Sequence, residues 1–381
     1  MSRLLYNESR IYMKKNVKNL IFLCILHFSV DFVCASSLMF IYDRSTFPDL
    51  LPYVFLIYNC LAFLLQPIFG LLIDRFDGSN NGRMYKAFLL ISLGSLLIGW
   101  VLSVFSLITV SSIFMMLVSS ILLGLSNALF HVVGGKQSLM FSNKATPGGL
   151  FVSTGALGIG LASVMFTAGY GSIFIQYLYF AMPVIIVIFG LLSFFSKFEV
   201  VKGGYEPYSF KSIKWFSISV LLLCVAIAVR SFLGFYNKMS EGIVDWESIF
   251  LLSVSVFMGK AVGGILFDLG GPFFTIGVST ILSTVLPIFL SHSYVDYIYI
   301  LSFNLLMPVT LDALRRCFPN KEGFAFGLAA AFLIPGYLLG SILKPYGPKE
   351  IIIPIVCFIT GVMLIFVYLI NKKAAINERD N

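Results

Sequence analysis

The sequence predicts an all-α polytopic membrane protein of twelve transmembrane helices arranged as two six-helix repeats. Composition, the spacing of the apolar stretches and a short motif that occurs twice carry that reading. Hydrophobic residues make up 59% of the 381-residue chain and charged residues 12%, with a mean hydropathy of +0.94. Soluble domains are about one-quarter charged. So apolar a chain requires a lipid bilayer as its solvent, and its length accommodates roughly twelve spans of about 20 residues with short connections. The net charge of +8 does not imply nucleic acid as a partner, because the basic residues sit at the ends of apolar stretches rather than in one patch.

Arg3, Arg10, Lys14, Lys15 and Lys18 precede the first apolar run, residues 19–42. That run is too long for the core of a cleaved signal peptide, so it is expected to be span 1, entered from a cytoplasmic N-terminus. Spans 2 to 12 are expected at 50–73, 86–109, 111–132, 147–170, 177–196, 214–236, 248–268, 273–291, 296–314, 323–343 and 350–371. An even number of spans puts both termini in the cytoplasm. Residues 197–213 form the longest polar stretch and are read as a cytoplasmic linker between an N-terminal half, 1–196, and a C-terminal half, 214–381. Most of the 26 Lys and Arg then fall on the cytoplasmic face. The opposite face holds Arg44, Lys238, Lys344 and Lys349, while Arg230 and Lys260 lie within spans. This asymmetry supports the span count and orientation. The richness in Ile, Phe, Lys and Asn is compatible with a bacterial source of low GC content, and the expected location is the cell membrane, a bacterial inner membrane.

Gly70-x-x-x-Asp74-Arg75 ends span 2 and is followed by a polar run, Phe76 to Arg83. Gly264-Ile265-Leu266-Phe267-Asp268 repeats the spacing at the end of span 8, followed by Leu269-Gly270-Gly271-Pro272. A repeat on this scale marks one class of transporter. The paired motifs resemble the loop signature of the major facilitator superfamily. His27-x-x-x-Asp31, Phe130-His131, Arg230-Ser231, and Pro308 with Pro319 and Gly323 are similar to its fosmidomycin-resistance branch of drug exporters. The resemblance implies secondary transport by alternating access, with efflux in the branch. In that family the signature acid caps neighbouring helix ends and stabilises one access state, so Asp74, Arg75 and Asp268 are expected to act in gating. The span 5 glycines, Gly155, Gly158 and Gly160, resemble an antiporter motif without its proline.

An ionisable group in the middle of a bilayer costs several kcal/mol and is a functional candidate by default. His27 and Asp31, four apart on span 1, share one helix face and are the proton-coupling candidates, a histidine titrating near physiological pH. Overlaying the halves puts Arg230 where Asp31 stands, so the two are expected on opposite cavity walls. They are either joined directly or competing for solute and proton, with a permanent structural ion pair as the alternative. The same overlay sets Lys260 opposite Gln66, and Asn127 opposite Asn304. Arg230, Lys260, Asn127, Asn304 and Gln66 are therefore the substrate-binding candidates, and two cations suit a carboxylate or phosphate-bearing solute. His131 is read as interfacial without a special role, and Asp312 as an interfacial counter-charge to Arg315 and Arg316. No Gly-x-x-x-x-Gly-Lys-Ser/Thr loop is present, so ATP is not expected to drive transport. The six cysteines show no metal spacing and are read as small apolar residues. No cofactor, metal, catalytic residue or enzyme activity is expected. The expected partners are a small-molecule solute, a proton or Na+ as coupling ion, and the lipid bilayer, around a monomer. Drug efflux of amphiphilic compounds is the alternative function, followed by a non-transporting receptor or assembly protein.

Overall fold

The computed structural model describes residues 2–44, 47–76, 81–108, 113–169, 173–195, 205–240, 245–290, 292–342 and 349–379. Every regular element among them is helical, as lipid requires of a chain that must satisfy its own backbone hydrogen bonds. Among the described residues, ten helices are long and apolar enough to cross a bilayer. One, Trp246–Phe289, is 44 residues long, about twice the length a bilayer needs. It breaks at Gly271, whose φ of +78° lies in the left-handed region open to glycine, and so carries both span 8 and span 9. A shorter apolar helix, Leu178–Leu192, lies where span 6 is expected. Each of the twelve expected stretches thus falls on a helix. The start of the linker at 197–204, and residues 77–80 of the polar run after Arg75, lie outside the described residues.

Span 4 runs further than its hydropathy indicates, as helix Ile113–Met140. Lys136 therefore sits inside the protein instead of in a cytoplasmic loop, and it is buried. At the N-terminus of span 8, the Asp245 carboxylate accepts the Ser248 backbone N–H at 2.7 Å. Hydrogen bonds from Ser248 hold this carboxyl below its usual range.

Prolines interrupt three spans. Span 2 consists of Leu51–Asn59, a π-helical turn Cys60–Leu64, and Gln66–Arg75, with Pro67 just past the break. Span 10 is divided between Asn304 and Leu306 ahead of Pro308, and span 11 between Ala331 and Leu333 ahead of Pro335. Proline lacks the N–H that would bond four residues back, so each helix is broken one turn before it. The breaks at spans 2 and 10 set Gln66 and Asn304 facing inward.

Spans 1 and 5 pack together in the first half, and the repeat-equivalent spans 7 and 11 in the second. Spans 2 with 11 and 5 with 8 join one half to the other. Outward-facing Leu72, Ile91, Leu191, Ile281 and Phe358 remain exposed, a surface that lipid can cover.

Candidate functional site

Between the halves lies a cavity of about 550 Å³, within the range of small-molecule sites. His27, Asp31, Gln66, Asn127, Arg230, Lys260 and Asn304 all line it, and His131 lines it with them. Along span 2 the lining runs from Phe55 to Gln66, and along span 8 from Ile249 to Lys260. It stops short of Asp74 and Asp268 and extends away from them, toward the face expected to be extracellular.

The first-half wall is a polar cluster built by spans 1, 4 and 5. The four-residue spacing of His27 and Asp31 puts His27 Nε2 3.3 Å from Asp31 Oδ2. Asp31 Oδ1 accepts the Asn127 amide at 2.9 Å and lies 3.5 Å from His131 Nε2. The two histidine Nε2 atoms are 2.8 Å apart. Each ring is oriented by a backbone carbonyl, His27 Nδ1 by Phe151 O at 2.6 Å and His131 Nδ1 by Asn127 O at 2.8 Å. Gly155 makes room for the cluster, since a Cβ there would stand 2.3 Å from Asp31 Oδ2 and 2.4 Å from His27 Nε2. His131 is thus no interfacial histidine. The sequence carried a signal for it only in being a histidine one turn beyond Asn127 on the same helix face.

The second-half wall is cationic and sparsely satisfied. Arg230 is not joined to Asp31, and its buried Nη1 has no hydrogen-bond partner among the described residues. Lys260 Nζ has a 3.4 Å bond to Val152 O and lies within Coulomb range of both Arg230 and Asp31. Facing it from span 2 of the first half, Gln66 donates to Ala62 O at 2.8 Å, a carbonyl at the span 2 break, and leaves its buried Oε1 without a partner among the described residues. Asn304 donates to Ile300 O at 2.7 Å. These side chains can hold an oxyanion by charge-assisted hydrogen bonds.

At the opposite end the cavity is closed by two equivalent caps that cross between halves. Asp74, at the end of span 2, accepts the Gly323 and Phe324 backbone N–H groups at 3.0 and 2.8 Å, at the N-terminus of span 11. Asp268, at the end of span 8, accepts Ala145 and Thr146 N–H at 2.7 and 3.0 Å and the Thr146 hydroxyl, at the N-terminus of span 5. Carboxylates at helix N-termini satisfy unpaired N–H groups and oppose the helix dipole. The backbones approach closely beside each cap, where a Cβ on Gly70 would meet Gly323 O at 2.4 Å and one on Gly264 would meet the Thr146 Cα at 2.9 Å. Lys136 pairs with Asp74 at 2.9 Å. Arg75 lies exposed beside this contact and forms no ion pair among the described residues.

Arg315, from span 10, donates to the Leu139, Ser142 and Asn143 carbonyls at 2.7 to 2.9 Å, so it caps the C-terminal end of span 4. Asp312 binds Arg315 and Arg316, each at 2.6 Å. Asp312 and Arg315 are buried, so Asp312 is not interfacial.

By sequence, the chain matches no family model and no curated protein. By structure, it is similar to the fucose:proton symporter FucP of E. coli, in its N162A form, with a TM-score of 0.65 at 12% identity over 94% of this chain and 99% of that one. A second FucP structure, described as a major facilitator superfamily transporter in the outward conformation, matches with a TM-score of 0.64 at 13% identity over 92% and 99%. The fosmidomycin-resistance branch does not figure in these likenesses. At such identity the likeness bears on fold alone, and the chain has the all-helical, multi-pass fold of these FucP structures.

Proposed function

We propose that the chain is a secondary active transporter that carries a small anionic organic solute by alternating access, coupled to protons. One observation carries this reading: the buried Arg230 Nη1, unpartnered among the described residues, shares a cavity with Lys260 and faces the His27–Asp31–His131 cluster. A buried donor without an acceptor is costly, so a site that keeps one on a cation is suited to a ligand that supplies the acceptor and the counter-charge. Gln66, Asn127 and Asn304 add neutral contacts around the same space. The caps at Asp74 and Asp268 act as the gate at the closed end, with Arg75 nearby, and their release accompanies opening to the cytoplasm. FucP, which shares the fold, is itself a proton symporter, which supports the proton over Na+ as the coupling ion. A bacterial inner membrane location with both termini cytoplasmic, and the division at residues 197–213, belong to the same proposal.

The rings of Phe55, Phe63, Phe235, Phe303 and Phe326 along the cavity favour a second reading, efflux of amphiphilic compounds. Thermal-shift screening of the purified protein against small carboxylates, phosphates, sugars and amphiphilic drugs separates the two. A ligand at a hundred times its Kd adds about 2.7 kcal/mol of stability. The anion reading requires stabilisation by anions in the parent protein and its loss in Arg230→Ala. Stabilisation by apolar drugs alone, undiminished in that variant, would overturn it.

A further inference from the structure

A carbonyl oxygen only accepts hydrogen bonds. Phe151 O, 2.6 Å from His27 Nδ1, therefore requires a proton on that nitrogen, and Asn127 O requires one on His131 Nδ1. A neutral imidazole protonated at Nδ1 presents a bare lone pair at Nε2. The two Nε2 atoms nevertheless face one another at 2.8 Å, a hydrogen-bond length. Two lone pairs repel at that distance and two N–H groups collide, so a single proton between them satisfies the geometry. The ring pair then carries one positive charge. Asp31, at 3.3 and 3.5 Å from the two nitrogens and oriented by Asn127, carries one negative charge. The cluster is neutral with the proton in place, which a low-dielectric setting favours. A tetrahedral metal with nitrogen ligands at about 2.0–2.1 Å would hold them about 3.3 Å apart, wider than the spacing found here.

We propose that His27 and His131 hold one shared proton between their Nε2 atoms, with ionised Asp31 as its counter-charge, and that this is where the coupling proton binds. His131 thereby becomes a member of the coupling site, and Asp31 a fixed anion that does not itself take up the proton. The facing groups are Asp31 and Cys34 from span 1, Tyr58 from span 2, Asn127 from span 4, and from span 5 the Phe151 carbonyl, which also accepts the Thr154 hydroxyl at 2.8 Å. Arg230 from span 7, Lys260 from span 8 and Asn304 from span 10 complete the surroundings, and span 11 contributes Phe326. Arg230 and Lys260 are the charges there that oppose the proton.

Only the use of this proton in transport rests on the transporter reading; its place between the rings does not. The chain has three histidines, so His292→Gln leaves the pair alone for nitrogen-15 imidazole spectroscopy of the full chain in detergent. The expected result is an N–H signature at both Nδ1 atoms, one proton scalar-coupled to both Nε2 atoms, and a joint titration of the two rings. His131→Gln should remove this titration step while the chain stays folded by circular dichroism. Two independent midpoints, two neutral rings without coupling across the gap, or stoichiometric Zn2+ binding that both histidines are needed for would each overturn the proposal. A shared proton in a protein that anions fail to stabilise would instead sink the anion reading and leave the proton site intact.

Discussion

Arg230 and Asp312 show how differently buried charges can be held in one membrane protein. Asp312 is bonded to both Arg315 and Arg316 at 2.6 Å. Arg315, whose Nε has no partner among the described residues, donates through its other nitrogens to three carbonyls of the other half. Arg230 has no such anion beside it among the described residues. Replacing Asp312 by Ala leaves two guanidinium groups without their anion and is expected to cost about 3–5 kcal/mol. Arg230 has an orphaned buried nitrogen, so Arg230→Met should stabilise the ligand-free protein by about 1–3 kcal/mol, the cost of an unsatisfied buried group, while abolishing its response to anions. Thermal unfolding of the two variants checks both signs, and a large loss with Arg230→Met would make that arginine structural. Glycines offer a parallel contrast. Gly155→Ala drives a methyl group into Asp31 and His27 and is expected to destabilise by about 1–3 kcal/mol. Gly94→Ala, whose Cβ would meet nothing within 4 Å, should gain up to about 1 kcal/mol from helix propensity.

Between helices, the paired caps tie span 2 to span 11 and span 8 to span 5 with the same chemistry. Removing a capping carboxylate costs about 1–2 kcal/mol, all of it from the state in which this end is closed. Asp74→Ala and Asp268→Ala should therefore each raise the opening equilibrium by roughly 5–30-fold. Asp74→Ala should exceed its counterpart, because it also removes the Lys136–Asp74 ion pair. The rate at which maleimide labels Ser138→Cys, buried at the closed end, reads the opening directly, and unchanged labelling in both variants would remove the gate. The spans and these motif acids were legible in the sequence because hydropathy and a repeated spacing are local signals. The breaks ahead of Pro67, Pro308 and Pro335 are not read from proline alone, since Pro183 and Pro354 lie inside continuous helices. What stayed hidden depends on which helix faces meet. Lys136 falls beyond the expected end of span 4 at 132, and Arg315 reads as interfacial charge, until span 4 proves to continue to Met140 and to place its last carbonyls against span 10. His131 likewise looked idle, because nothing within span 4 reveals that span 1 brings His27 to 2.8 Å from it.

Across the protein as a whole, the proposed transport cycle takes the sign of its coupling from the cavity's charges and from the solute. Lys260 lies within Coulomb range of His131 and of Asp31, and Arg230 adds a second positive charge to the same space. Both oppose a proton held between the histidines. An anion bound by Arg230 and Lys260 screens that opposition, so it raises the affinity for the proton, and by linkage the proton raises the affinity for the anion equally. Coupling of this kind typically amounts to 1–3 kcal/mol, or about 5–150-fold in affinity. Solute and proton then occupy the carrier together and leave it together, which is symport. A cationic amphiphile in the same cavity would compete with the proton, and exchange of one for the other is antiport. The discriminating measurement is the proton flux on ligand addition to weakly buffered, purified protein containing a pH-sensitive dye. A stabilising anion should cause proton uptake, and its Kd should tighten as pH falls through the titration of the histidine pair. In Lys260→Gln the uptake should diminish while the pair still titrates. Proton release on anion binding would reverse the predicted coupling, because it would mean that the anion displaces the histidine proton.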